Sequence, residues 1–277
     1  VGDATTAPAT SGGPLRPYLA VLRSRVRSQQ AYPLSFAADL LSSLLIGLVE
    51  FAEVWVIYDN VPVLGGLNLR GMLLLFGLSS LAFAVAQIMV GHTDTLPTYI
   101  RLGTLDAFHL RPQPLLLQLI TSDISLRRLA RAAVALTVLV IGLFANPIAW
   151  SLATVTLLLV SIGSGIAIFA GLFVVAAGLQ FFLVDGSELT NSFTYGGNFA
   201  SQQPTSVFGN PLKLLFGFAV PVAFVAYLPT IALLGRPGTA WLPANLAWAS
   251  PVAALWVWGL ALGCWQIGVR HYQGGGG

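Results

Sequence analysis

From Ala132 to Val184 the chain carries no Asp, Glu, Lys or Arg, a tract of 53 residues. One bilayer crossing takes roughly 20 apolar residues, so this tract holds two crossings and a turn between them. Asn146-Pro147 is the expected turn, because proline disfavours helix in the residue before it and Asn-Pro initiates turns. The rest of the chain agrees: 56% of its 277 residues are hydrophobic and 8% charged, with a mean hydropathy of +0.81. That is more apolar surface than a soluble domain can bury. The alternating ten-residue segments of a membrane barrel do not occur. The sequence reads as an all-α polytopic membrane protein.

Six spans are expected: Pro33–Tyr58, Gly71–Val90, Leu129–Ala145, Ile148–Val184, Leu212–Leu234 and Pro251–Val269. The fourth exceeds one straight crossing and should tilt, kink or project. The positive-inside rule then orients the chain. With the N-terminus inside, Arg16, Arg23, Arg25, Arg27, Arg101, Arg111, Arg127, Arg128, Arg131, Lys213 and Arg270 are cytoplasmic, and only Arg70 and Arg236 lie outside. Both termini are therefore expected in the cytoplasm.

Residues 1–14 are small, polar and proline-rich, and read as disordered without the apolar core of a signal peptide. Residues 15–32 read as an interfacial amphipathic helix. Arg16, Arg23 and Arg27 share one face, Tyr18, Leu19, Val21, Leu22 and Val26 the other, and Arg25 snorkels. The spans occupy 33–270, and residues 271–277 form a flexible tail. Residues 229–250 are too apolar for an ordinary loop, are cut by prolines and carry Trp241 and Trp248. Short apolar pieces with interfacial tryptophans suggest a re-entrant hairpin or helices lying at the outer surface.

Catalytic constellations are poor. His92, His109 and His271 stand apart, and Asp94, two residues from His92, has no further partner in the sequence. The single cysteine, Cys264, excludes an internal disulfide and a cysteine metal cluster. A phosphate-binding loop needs Gly-Lys-Ser/Thr, and the only lysine, Lys213, lies in "NPLKLL"; ATP hydrolysis on this chain is excluded. Asp39, Glu50 and Glu53 lie inside the first span. A charge at a helix centre costs about 2.5–3.5 kcal/mol on insertion scales, so such acids usually face a cavity or a bundle interior. They are the translocation-path candidates, with headgroup anchoring beside Arg70 as the alternative for Glu50 and Glu53. The Gly259–Gly263 spacing permits close helix packing.

Between spans two and three lies a 36-residue insert, His92 to Arg127, long for a helix connection and suspect as functional. Its sequence "IRLGTLDAFHLRPQPLLLQL" resembles the cytoplasmic signature of ABC-2 type permeases, in a branch named for viologen export. The match is carried by Ile100, Arg101, Gly103, Leu105, Asp106, Leu110, Arg111, Pro112 and Gln118, with His109 where the family has an apolar residue. "NPLKLLFGFAVPVAFVAYLPTIALLG" is similar to the family's fifth span and "GVRHYQGGGG" to its closing Gly-x-x-x-Tyr tail.

The resemblance implies a type V exporter-like fold in the cytoplasmic membrane of a bacterium. It implies that Tyr99–Leu119 is a coupling-helix region, with Arg101, Gly103, Asp106, Arg111 and Pro112 docking a separate ATPase subunit that holds ATP and magnesium. No cofactor is expected on this chain. A second permease, identical or homologous, would complete the path for a small or lipophilic substrate, and no nucleic-acid partner is implied. Two other classes are weighed: an ion-coupled secondary transporter using Glu50 and Glu53, and a membrane-embedded enzyme using His92 and Asp94.

Overall fold

The computed structural model describes residues 33–110, 113–122, 127–183 and 187–272. The expected disordered N-terminus, the interfacial helix at 15–32, the glycine tail, Arg111 and Pro112 lie outside the described residues. The structure is helical: α1 (Pro33–Asn60), α2 (Leu69–Val90), α3 (Leu96–Arg101), α4 (Asp106–His109), α5 (Leu115–Ser122), α6 (Arg127–Ala145), α7 (Leu152–Gln180), α8 (Ser187–Ser201), α9 (Asn210–Leu214), α10 (Tyr227–Leu233) and α11 (Ser250–His271). Among the described residues there is no strand beyond two isolated bridges, Leu64–Leu67 and Gly238–Pro243. Among the described residues, four helical runs are long and apolar enough to cross a membrane, five if one bent pair counts as a span. The chain is an integral membrane protein.

The ends of these helices follow from local chemistry. The Asn68 side chain accepts the Gly71 N–H and starts α2. Ser151 and Thr154 form a capping box at the start of α7, which satisfies donors otherwise orphaned at a helix end. Asn146 closes α6, its amide donating to the carbonyls of Arg70 and Gly142, both at 2.7 Å. The expected turn at Asn146-Pro147 is thus also a bolt to the start of α2. The cap shortens the long fourth helix to 29 residues, still about 43 Å at ~1.5 Å per residue and longer than a ~30 Å hydrocarbon core.

Helices α2 and α6 run antiparallel in backbone contact: a Cβ on Gly77 would meet Leu139, and one on Gly142 would meet Leu74. Helices α7 and α11 run parallel, with Gly171 against Val257 and Gly178 against Cys264 and Trp265. Phe83 of α2 meets Phe169 and Phe173 of α7 and Tyr195 of α8 at the centre. Helix α1 packs on α6 where Gly47 meets Val134. It leaves Leu41, Leu45, Leu48, Val49, Trp55 and Val56 exposed.

Three expectations change. The connection after Val184, expected in the cytoplasm, contains α8, which packs antiparallel along α2. Gln87 bonds Tyr195 and Ser79 bonds Ser201. Beyond the helix, the Ser206 hydroxyl donates to the Gly65 carbonyl at 2.9 Å, so residues 187–207 run from the Asp94 end of α2 to its Asn68 end. The expected fifth span, Leu212–Leu234, is not continuous. It breaks at Val220-Pro221 into arms bent by 71°, because proline offers no N–H and its neighbours leave helical geometry. Gly217 touches Leu242, Val225 descends to Gly165, which also packs on Ala82 midway along α2, and Leu234 returns to Gly71. The re-entrant shape expected at 229–250 therefore begins earlier, near Asn210. Lys213 lies between the anchors at Gly65 and Leu242, at the Asn68 end and not, as expected, at the end that carries Arg128 and Arg131. Finally, Gly259 and Gly263 face open space, with nothing within 4 Å of a Cβ built there; Gly171, Gly178 and Gly268 are the packing glycines.

Candidate functional site: a clamped loop at the Asp94 end

The insert after α2 folds into a 3-10 turn, Gly91–Thr95, and then α3, α4 and α5. Its base is apolar. Leu96, Leu105 and Leu119 are fully buried against Val174 and Ala177 of α7 and Ala261 and Trp265 of α11. Gln118, also buried, donates to the carbonyls of Phe108 at 3.1 Å and Gln113 at 2.6 Å, tying α5 to the turn before it. The Tyr99 and Phe108 rings meet edge to face at 5.3 Å. His92 meets the hydroxyls of Tyr99 at 3.1 Å and Thr95 at 3.3 Å.

The tip is made by Gly103. Its φ of +65° is the left-handed conformation that ends helices and that residues with a Cβ resist. Its N–H bonds Ile100 O, and the Leu105 N–H reaches back to Tyr99 O. The chain reverses there. Arg101, Leu102 and Thr104 face solvent while Leu105 turns inward. Leu102 is 70% exposed and Leu110 87%, which is unusual beside three fully buried leucines. Asp106, exposed, accepts a hydrogen bond from the Tyr272 hydroxyl at 3.0 Å. Partial burial, and then Asp106 itself, push the Tyr272 phenol above its ordinary 10.0. The structure thus gathers Arg101, Gly103 and Asp106 on one rigid tip. Arg111, Pro112 and the His109 side chain are not among the described residues.

Behind the loop lies a directed hydrogen-bond chain. Arg131 donates to Gln87 Oε1 at 3.4 Å, Gln87 Nε2 to the Tyr195 hydroxyl at 3.0 Å, and Tyr195 to Asp94 Oδ2 at 3.4 Å. Arg128 covers the end of α2, donating to the carbonyls of Gln87 at 2.6 Å and Gly91 at 3.2 Å. These are the orphan acceptors of a helix terminus.

Of the path candidates on α1, Glu50 is half-buried and Glu53 exposed; the Asp39 side chain is outside the described set. Arg131 and Glu53 act on Glu50 through space. Asp94, which reads from sequence as a boundary residue, anchors α8. Among the described residues no three His, Cys, Asp or Glu side chains converge in a metal-binding group.

Sequence reasoning misses Leu102 and Tyr195, and it finds Leu110 and Tyr272 only as positions of the family resemblance, with no contact assigned to either. The apolar leucines at turn positions were the one available signal, since turns favour Gly, Asn, Asp and Ser. No curated protein and no solved structure matches the chain. Residues 44–276, from within α1 to beyond the end of α11, match the family described as ABC-2 family transporter protein, and on that match the chain belongs to the ABC-2 transporter family.

Proposed function

We propose that the chain is the permease subunit of an ATP-driven exporter. The Asp94 end faces the cytoplasm, and the tip between Tyr99 and Leu119 docks a separate ATPase subunit. The observation that carries this reading is the pairing of a buried base with an exposed apolar tip: Leu96, Leu105 and Leu119 inside, Leu102 and Leu110 outside. A soluble partner that closes on such a tip moves the base, and the base is packed on α7 and α11. In this reading hydrolysis falls to another chain, which is supported by the lack of a Gly-Lys-Ser/Thr loop in residues 1–277. Arg101, Gly103, Asp106, Arg111 and Pro112 form the coupling motif, and Gly103 sets its turn.

The chain supplies half of a path completed by a second permease, with six crossings of a bacterial cytoplasmic membrane and both termini inside. In this arrangement α8 is the fifth crossing and the bent segment 210–234 is the outer re-entrant hairpin. Helix α1, with its row of exposed apolar residues, faces lipid or the second permease, and Asp39, Glu50 and Glu53 are the acids nearest the path. The test is co-purification with a candidate ATPase and measurement of its hydrolysis rate in nanodiscs. Leu102→Glu with Leu110→Glu should abolish partner binding while the permease remains folded and monodisperse. Undiminished binding by that variant would remove the tip from the docking surface.

A further inference from the structure

Two sequence segments 166 positions apart meet at one hydrogen bond, Tyr272 Oη to Asp106 Oδ1, and the surrounding packing fixes where that bond forms. Helix α11 reaches the end of α7 because both backbones are bare at their contact. A Cβ on Gly178 would lie 2.8 Å from the Cys264 carbonyl carbon, and one on Gly268 would lie 2.6 Å from the Gly178 oxygen and 2.7 Å from Phe181. Only glycine fits at either place. With the helices that close, Phe181 wedges between Trp265 (ring centroids 5.5 Å apart) and Tyr272 (6.0 Å). One residue on, Phe182 stacks on His271 at 4.9 Å. The Tyr272 ring is therefore held from the α7 side, and its hydroxyl is carried to the carboxylate that opens α4.

We propose that Tyr272 is a positioning residue whose hydroxyl, held by Asp106, ties the end of α11 to the exposed Arg101–Leu110 tip, so that tip and last helix move as one body. This rests on the reading of the tip as the partner-docking surface and adds the route by which docking reaches α11. It also gives Asp106 an intramolecular duty. Leu102 and Leu110, both exposed, remain to face a partner.

The experiment is a double-mutant cycle on the full chain in nanodiscs, read first by hydrogen exchange of the Thr104–Phe108 amides. Tyr272→Phe keeps the ring on Phe181 and removes only the hydroxyl. It should speed exchange there by about two- to fivefold, the scale of one solvent-screened interaction at an exposed site. Asp106→Ala should do the same, and the double variant should add nothing, because both remove one interaction. Asp106→Asn, which retains an acceptor oxygen, should restore the parent rate. Unchanged exchange in Tyr272→Phe, or an equal further increase when it is placed on Asp106→Ala, overturns the proposal. A second readout, binding of the ATPase to the same variants, separates the two inferences. If exchange responds as stated while Leu102→Glu with Leu110→Glu leaves binding intact, the tie stands and the docking reading falls.

Discussion

Helices α7 and α8 lie side by side against α2, yet they are held by different physics. Helix α7 has no charged residue in 29 and buries Ile168, Phe169, Phe173 and Val174, among others; its partners are apolar surfaces and bare glycine backbone. Helix α8 reads SELTNSFTYGGNFAS. It holds its place through Tyr195 on Gln87, Ser201 on Ser79 and, just past its end, Gln202 on Ser80. Shape fixes the first helix and donors fix the second. A slip of α7 would push side chains into the bare backbone contacts at Gly171 and Gly178, whereas a one-residue slip of α8 would strand every one of those polar groups in a site where each unmet bond costs free energy. The comparison teaches that an apolar neighbourhood does not require an apolar helix, provided the polar groups are paired.

The sharpest way to break α7 is to give it bulk where it has none. Gly178→Val places two methyl groups on the α11 backbone, an overpacking that costs about 3 kcal/mol or more. We expect loss of the monodisperse species in size-exclusion chromatography and a collapse of the melting transition. The matching change for α8 is Gln87→Leu, which removes two of the three links of the hydrogen-bond chain, those to Arg131 and Tyr195, and leaves Tyr195 on Asp94. Interhelical bonds at membrane depth are worth about 0.6 kcal/mol on average and up to ~1.7, so a loss near the upper figure is expected. It should appear as faster hydrogen exchange in 191–201 with α7 unaffected. Equal acceleration in both helices would erase the distinction drawn here. Tyr195→Phe keeps the edge contact with Phe83 and removes two links, to Gln87 and Asp94, so it should reproduce the same local pattern at about the same magnitude. The smallest effect belongs to Gly259→Ala. That site is open, and alanine is favoured over glycine in helices by about 1 kcal/mol, so the melting temperature should hold or rise slightly.

The apolar half of this architecture was legible in the sequence. The charge-free tract resolves into α6 and α7, with the turn at Asn146-Pro147, because hydropathy and proline geometry are local properties. Helix α8 was not legible. Serine, asparagine and glycine between two long spans read as a loop, and the partners that satisfy them lie more than a hundred residues away in α2. The run Leu212–Leu234 misled in the opposite sense: its apolarity is real, but Pro221 divides it and the halves fold back. At the candidate site, the charged positions of the insert stand out as a scarce residue type, while Gly103 is marked only by the family resemblance. The outward aim of Leu102 and Leu110 depends on the φ of Gly103, and the tie to Tyr272 depends on a glycine contact between α7 and α11; neither is encoded within a local window.

Because α7 and α11 point the same way, the chain between them obeys a parity condition. It leaves α7 at the Asp94 end and must enter α11 at the Asn68 end, which demands an odd number of traverses. Helix α8 with its extension to Ser206 makes one, and the bent segment 210–234 makes none, since it enters and exits on the same side. The two pieces are therefore unequal under evolution or engineering. The hairpin can be lengthened, shortened or exchanged without moving the C-terminus, while removal of α8 would carry Tyr272 to the face opposite Asp106. A chain of this topology is free to vary its hairpin and bound to keep its polar helix.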